Sequence, residues 1–361
     1  MDRQCLFGHA SRFAIDSPVT AVEPLGSGHV NDTYRVDTAA GGLYVLQRIN
    51  TQVFQRPDLV MANLAVLSDH VDARRPQGMR WEVPRALRLS DGSSNWLSTN
   101  GEAWRLLTFV EGAHSCETVT SAGQARELGR ALGIFHRLIH DLPTERLADT
   151  LEGFHVTPSY LAVYDRVLQK PQAAACAAGD WCQAFVAERR PLAPVLEQAR
   201  AAGALRARPI HGDPKVNNVM LCSGSGQAVA MVDLDTVKPG LLHYDIGDCL
   251  RSGCNRLGEE SLDPEGVEFD LELCEAILSG YLNESASFLS AADIAHLFDA
   301  IRLIPFELGL RFYTDHLAGN GYFKVRHERH NLDRALVQFR LTMSIEAQES
   351  QIRALIQQLC P

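Results

Sequence analysis

The chain has no Cys-x-x-Cys pair. Its nine cysteines (Cys5, Cys116, Cys176, Cys182, Cys222, Cys249, Cys254, Cys274 and Cys360) are scattered and odd in number. That spacing argues against metal binding by thiolates and predicts a reducing, cytoplasmic setting. No apolar run is long enough to span a bilayer, so no membrane partner is expected. The start, Met1-Asp-Arg-Gln-Cys5, lacks a basic segment followed by an apolar run, so no secretory signal is expected. Positive charge is also short: 34 Lys and Arg face 44 Asp and Glu, a net charge of −10. Nucleic acid as the main partner demands a basic face and is therefore excluded. There is no internal repeat, and no low-complexity tract beyond the alanine-rich 173–178. What remains is ordinary for a soluble globular protein: 361 residues, 46% hydrophobic and 22% charged. That length suffices for two lobes, each with its own core.

The first hundred residues read mostly as strands. Residues 1–18 form a polar lead-in with room for a short helix. Val19 to Leu25, Tyr34 to Asp37 and Leu43 to Ile49 are strand candidates, the last two joined by Ala39-Ala-Gly-Gly42. Pro57 to Val71 carries Leu59, Met61, Leu64 and Leu67 at roughly helical spacing, with Pro57 suited to a first turn. Val83 to Leu89, Trp96 to Thr99 and Trp104 to Val110 follow as strands. The pattern predicts a five-stranded antiparallel sheet with one helix, and one short run left as an edge or loop. After Gly112 the pattern turns helical. Ser121 to His140 has Leu128, Leu132, Phe135 and Leu138 on one face, with Ser121 as N-cap. Helices are also predicted over 158–168, 180–202, 271–282, 291–318 and 328–359.

Into this helical part is set the stretch from Pro209 to Gly240. It runs Pro-Ile-His211-Gly212-Asp213-Pro-Lys215-Val-Asn217-Asn218, then an apolar run, a Gly/Ser turn at 223–226, and Ala-Val-Ala-Met-Val-Asp233-Leu-Asp235-Thr. Two apolar runs around a turn predict a β-hairpin with Asp213, Asn218 and Asp233 together at its open side. Phosphoryl transfer needs a carboxylate to orient the attacking hydroxyl, oxygen ligands for Mg²⁺, and a cation near the moving phosphate. Asp213 fits the first need, Asn218 and Asp233 the second, and Lys215 the third. H-x-D-x-x-x-x-N followed by a strand-borne Asp is the spacing of the catalytic loop and metal Asp in kinase-like folds.

On these residues the chain resembles the aminoglycoside phosphotransferase/choline kinase superfamily. The wording is closest to the N-acetylhexosamine 1-kinases, in Gly26-Ser-Gly-His-Val-Asn-Asp-Thr-Tyr34, Tyr44-Val-Leu-Gln-Arg-Ile-Asn50, Val232-Asp-Leu-Asp-Thr236, Asp245-Ile-Gly-Asp-Cys-Leu-Arg251 and Glu307-Leu-Gly-Leu-Arg-Phe-Tyr-Thr-Asp315. The resemblance implies an α+β, bilobal, protein-kinase-like fold: a small antiparallel β N-lobe with one helix over residues 1–111, and a larger, mainly helical C-lobe over 112–361. It implies a kinase using ATP and Mg²⁺ on a small-molecule hydroxyl, most closely the 1-hydroxyl of a hexosamine. It places ATP against Gly26, Ser27, Gly28, Gln47 and Arg48, with Phe109 and Glu111 at an adenine-binding hinge. It places the acceptor against His29, Asn31, Asp213, Arg311 and Tyr322.

The chain departs from that pattern at one point. Kinase folds carry a lysine on the third strand, paired with a glutamate on the helix. Here the strand position is Gln47 and the helix offers Asn63, so a neutral Gln47–Asn63 contact is expected. Arg48 is either a substitute cation reached by strand twist or a solvated edge charge. Gly26 to Gly28 is either a phosphate loop or a plain hairpin turn. His136 is expected to pack, and His211 and Asp245 to brace the loop. Asp235 either ligates metal or shapes the loop, and Asp248 and Arg251 join the acceptor wall. The acidic residues from Glu259 to Glu272 are a solvated face or a cation-attracting rim. Arg311 and Asp315, one turn apart, are either acceptor contacts or an exposed ion pair. Functionally, an aminoglycoside, choline or homoserine kinase and a non-catalytic nucleotide or sugar sensor stay open beside the sugar kinase.

Overall fold

The computed structural model describes residues 2–26, 30–99, 101–170 and 176–360. The chain enters through helix α1 (Arg3–Ala10), N-capped by Asp2. It then builds β1 (Val19–Pro24), β2 (Asp32–Thr38), β3 (Leu43–Ile49), helix α2 (Pro57–Arg74), β4 (Leu97–Thr99) and β5 (Glu102–Thr108). The five strands form one antiparallel sheet in the order β1-β2-β3-β5-β4. Both faces of this sheet are covered. Val22, Val36, Leu46, Trp104 and Leu106 pack with Leu6, Ala10 and Phe13 of the N-terminal segment. Ile49, Ala103 and Leu107 face the main core. Burial on both sides explains why β5 reads Ala-Trp-Arg-Leu-Leu without polar alternation.

The short run left out of the sheet is 83–89. It makes only isolated bridges, such as Ala86 to Leu107. Pro84 within it has no N–H to give a ladder.

The second part is mainly helical. It holds β6 (Ala113–His114), α3 (Ala122–Ile139), α4 (Thr157–Leu168), α5 (Ala177–Arg189), α6 (Val195–Ala201), β7 (Arg208–Ile210), β8 (Val219–Cys222), β9 (Ala228–Met231) and β10 (Lys238–Gly240). Then come α7 (Leu242–Gly253), α8 (Leu271–Ser285), α9 (Ala291–Ala295), α10 (Leu297–Leu317), α11 (His330–Ala347) and α12 (Glu349–Leu359). The mixed α+β class, sheet first and helices after, is as the sequence predicts. Three long helices are shorter than expected. Residues 180–202 break into α5, a 3-10 turn and α6, because Pro191 and Pro194 lack the N–H a helix interior needs. The 291–318 segment bends at His296 and the 328–359 segment at Gln348, both with ψ near zero (7° and 15°). Among the described residues no helix is long and apolar enough to cross a membrane.

Helix α3 forms as expected: Ser121 Oγ accepts from Gln124 N at 3.3 Å, and Leu128, Leu132, Phe135 and Leu138 are all buried. It packs on α8 at backbone contact distance. A Cβ on Gly129 would lie 1.9 Å from the Ile277 carbonyl oxygen, and one on Gly280 2.1 Å from that of Arg126. Gly129→Ala must therefore push the two helices apart. The expected loss is about 1–3 kcal/mol, typical of overpacking. It should appear as a lower urea midpoint with an unchanged slope.

Candidate active site

The 209–240 stretch is closed at its base by a short ladder, Ile210 opposite Lys238. Beyond it, β8 and β9 pair with Val219 opposite Met231, and β6 flanks β8. Val232 N donates to Asn218 O at 2.9 Å, which sets Asn218 beside the strand end that carries Asp233. Two backbone positions are special. Gly212 has φ +85°, and a Cβ there would meet the Thr236 carbonyl oxygen at 2.7 Å. Asp233 is itself left-handed (φ 62°, ψ 57°), a conformation that Asp tolerates better than most residues.

A buried carboxylate holds the loop. Asp245, on α7, accepts from His211 N at 2.7 Å and Gly212 N at 2.8 Å, and meets His136 Nε2 at 2.9 Å. Burial pushes its carboxyl up, but hydrogen bonding from His136 and the loop amide outweighs this and holds it below the usual range. The bracing reading of Asp245 and the packing reading of His136 both hold. His136 Nδ1 meets the Tyr281 hydroxyl at 3.0 Å. His211 Nε2 lies 3.1 Å from Val232 O, and its Nδ1 accepts from Asp213 N at 3.2 Å. Burial lowers its pKa, so the ring is neutral and serves as a strut.

A second brace escaped the sequence reading. His155 has φ 64° and is buried; its Nδ1 faces Glu307 Oε1 at 2.9 Å and its Nε2 faces Gly212 O at 2.8 Å. Both partners are acceptors, so the ring carries two protons. Burial opposes that charge, yet Glu307 overrides it and the pKa rises. Glu307 also accepts from Thr157 Oγ1 at 2.6 Å.

Asp213, Lys215, Asn218 and Asp233 line one cleft, as the hairpin predicts. Lys215 Nζ lies 2.9 Å from Asp213 Oδ2. Burial pushes the Asp213 carboxyl up, but the Lys215 ammonium more than offsets it, and the group is an anion at neutral pH. Asn218 Nδ2 donates to Asp213 O at 2.7 Å and Oδ2 at 3.1 Å. Its amide oxygen has no donor among the described residues. Burial, then the charges of Asp235 and Asp213, raise Asp233 to about 6. Such crowding of hard oxygens beside a single lysine fits a divalent cation. Among the described residues no group of three or more His, Cys, Asp or Glu that could hold a metal ion is found. One or two protein oxygens plus substrate phosphates suit Mg²⁺ better than a full cage.

The cleft has a volume of about 400 Å³, a usual size for a small-ligand site. Leu25, Val45, Leu107, Phe109, Val110 and Met220 give it apolar walls, and Gly26 and Asn31 close one end. Gln47 lines it too. Three expectations need correction. Arg48 points to the other face of β3, where it pairs with Asp32 and with Glu102 (2.6 Å). Strand alternation, not twist, decides its direction. Glu111 does not line the cleft; its carbonyl accepts from Arg80 Nη2 at 2.5 Å. Asn63 never meets Gln47. It bonds the carbonyls of Ala148 and Val237, each at 2.9 Å, and so ties α2 to the helical part. Ser27, Gly28 and His29 lie outside the described residues. Asn31, expected at the acceptor, is engaged on both sides: it donates to Asp235 Oδ2 at 2.8 Å and accepts from Asn50 N at 3.0 Å.

The cation that the sheet gives to the cleft wall is instead Arg105, on β5. It is 1% exposed. Its Nη1 lies 2.6 Å from Asp235 Oδ1, and Nε and Nη2 reach Gln47 Oε1 at 2.9 and 2.7 Å. Sequence alone does not single it out: β5 is buried on both faces, so no alternation marks the side that Arg105 shares with Ala103 and Leu107.

Beyond Asp213 and Lys215 a second cavity opens, of about 120 Å³, lined by Gly212, Asp248, Arg251, Glu307, Arg311 and Tyr322 among others. Its acidic groups are largely paired. Asp248 and Glu259 face Arg251 at 2.7 and 3.0 Å, and Glu307 faces His155. One atom is left over: Asp248 Oδ2 is buried without a hydrogen-bond partner among the described residues. Arg311 is the opposite case. Its guanidinium sits over the rings of Phe154, Tyr160 and Phe323 at 5.0, 5.1 and 5.5 Å, with no carboxylate in ion-pair range among the described residues. Asp315, its expected partner, instead accepts from Tyr322 N, Phe323 N and Asn331 Nδ2 at 2.8–3.0 Å and folds the 319–323 turn. Tyr322 is half exposed at the rim.

The family model described as "APH: Phosphotransferase enzyme family" matches residues 21–273. Solved structures share the fold over nearly the whole chain. An aminoglycoside phosphotransferase from Alicyclobacillus acidocaldarius superposes with a TM-score of 0.63 at 15% identity, covering 99% of this chain and 97% of that one. Aminoglycoside 2'-phosphotransferase-IIIa, solved with GDP, gives 0.61 at 14%, covering 97% and 100%. An amicoumacin kinase, solved with AMP-PNP and Ca²⁺, gives 0.59 at 18%, covering 96% and 94%.

The His155–Glu307 pair predicts a pH dependence. A pKa raised above 6.5 in the folded state means stability is fully present below that value and falls as pH rises through the folded pKa. The slope from this pair is at most about 1.4 kcal/mol per pH unit. Urea unfolding of the parent and of Glu307→Gln across this range should show the decline in the parent only. Subtracting the two curves removes the other titrating groups.

Proposed function

We propose, because the chain belongs to the phosphotransferase enzyme family, that it moves the γ-phosphoryl group of ATP to the anomeric hydroxyl of an N-acetylhexosamine or related sugar. Membership makes it an enzyme, a kinase with an alcohol acceptor. The acceptor is the added step, and one observation carries it: Arg311, a guanidinium without an ion-pair partner among the described residues, lies among aromatic rings in the cavity that Asp213 also lines. A sugar matches that surface. Its oxygens take charged hydrogen bonds and its C–H face lies against a ring.

Asp213 orients the attacking hydroxyl and accepts its proton as the bond to phosphorus forms. Lys215 balances charge on the transferred group. Asn218 and Asp233 would hold Mg²⁺, which when bound neutralises the phosphates and aligns them for in-line transfer. Asp248 Oδ2, lacking a donor among the described residues, suits a second sugar hydroxyl. We divide the chain at residues 111 and 112 into a nucleotide lobe and an acceptor lobe.

A cationic acceptor such as an aminoglycoside or choline would be repelled by Arg311, the cation without an ion-pair partner among the described residues. The paired state of Glu259 and Glu307 disfavours it. A non-catalytic sensor is disfavoured by Asp213, Lys215, Asn218 and Asp233 lining one cleft.

Two variants test the reading. Asp213→Asn keeps size and removes the carboxylate; turnover should fall by on the order of a hundredfold or more while ATP affinity stays. Near-normal turnover would remove Asp213 from its role. Arg311→Ala should raise the sugar KM by the equivalent of about 1.5–3 kcal/mol, with the ATP KM unchanged. A loss confined to the ATP side would take Arg311 out of the acceptor site.

A further inference from the structure

We propose that Arg105 binds the α- and β-phosphates of the nucleotide, supplying from β5 the charge that the β3 position lacks. The inference rests on the nucleotide reading of the cleft. Gln47 stands at the strand position where a cation is wanted and has none. Arg105 is directly across the ladder from it, in the register Gln47 to Arg105. Neighbours opposite one another on adjacent strands point to the same face, so both side chains enter the same cleft.

The surrounding groups fix the guanidinium rather than merely tolerate it. Gln47 Oε1 takes two of its N–H groups, and Gln47 Nε2 donates in turn to Thr33 Oγ1 at 3.1 Å. Asp235 takes a third, and its other oxygen accepts from Asn31. Nη1 also lies 4.0 Å from Met61 Sδ, a weak contact. A guanidinium has five N–H donors, so these three strong contacts leave two for a ligand in the cleft that Arg105 lines. Gln47 and Asp235 thus act as the orienting partners that a helix glutamate would be for a strand lysine. Because Asp235 follows Asp233 by two residues, the same pair ties the sheet to the segment that carries the proposed metal ligand.

A latch between the sheet and the helical part would use the same contacts without touching phosphate, and the test separates the two. Isothermal titration of ADP with Mg²⁺, and separately of adenosine, is done on the full-length parent, Arg105→Lys, Arg105→Gln and the double variant Arg105→Gln/Asp235→Asn. The double variant leaves a neutral hydrogen-bonding pair and no orphaned buried charge, so it guards against misfolding of the single one. The expected result is an ADP Kd raised about tenfold or more in both Gln variants, an adenosine Kd within about twofold of the parent, and partial recovery in Arg105→Lys. ADP affinity kept in the folded double variant, or an equal loss for ADP and adenosine, overturns the proposal. A parent that binds neither ADP nor adenosine would overturn the nucleotide reading itself, and this inference with it.

Discussion

The site depends on one buried carboxylate. Asp245 receives two consecutive backbone N–H groups of the catalytic loop and a histidine from the neighbouring helix, all at 2.7–2.9 Å. These donors would otherwise be buried and unpaired, at about 1–3 kcal/mol each. Satisfying them from α7 fixes the loop against the helical core before any ligand arrives. Gly212 then needs its left-handed turn, and His155 holds the carbonyl of the same residue from the other side. Asp213 is thus placed by contacts on both of its upstream neighbours, which is what precise positioning of a reacting group requires.

Charge is partitioned between the two cavities that meet at Asp213. On the nucleotide side, Asp233 and Asp235 face Lys215 and Arg105, and Asp233 is crowded enough to be raised to about 6. That balance calls for a divalent cation with phosphates. On the acceptor side the carboxylates of Glu259 and Glu307 are paired, and Arg311 is the cation without an ion-pair partner among the described residues. This partition is what supports the proposal of metal and phosphate on one side and an oxygen-rich, uncharged acceptor on the other.

Much of this was legible in the sequence because it is local. The H-x-D-x-x-x-x-N spacing and the hairpin fix which side chains share an end, and the 3.6-residue pattern of α3 fixes its buried face. What escaped is long-range. The Gln47–Arg105 contact joins residues far apart in sequence, and it required the register of β3 against β5. Arg48 keeps the face opposite Gln47 that alternation gives it, and the strand twist that would bring it to the nucleotide is absent because Asp32 and Glu102 hold it there. Asn63 was misassigned because its partners, Ala148 and Val237, belong to the helical part. Arg311 and Asp315 share a helix face as spacing says, yet Asp315 is drawn to three donors of the turn that follows. Helix lengths were overread at Pro191 and Pro194, where a missing N–H outweighs apolar periodicity.

The hydroxyl that Asp213 is proposed to orient would belong to an uncharged sugar. Phosphorus and proton NMR of the products formed from ATP, with N-acetylglucosamine, N-acetylgalactosamine, an aminoglycoside and choline offered in parallel, tests it most directly. The expected product carries a phosphate coupled to the anomeric proton of a hexosamine, with the cationic acceptors turned over far more slowly. Phosphorylation of the aminoglycoside or choline with the hexosamines left untouched would contradict it.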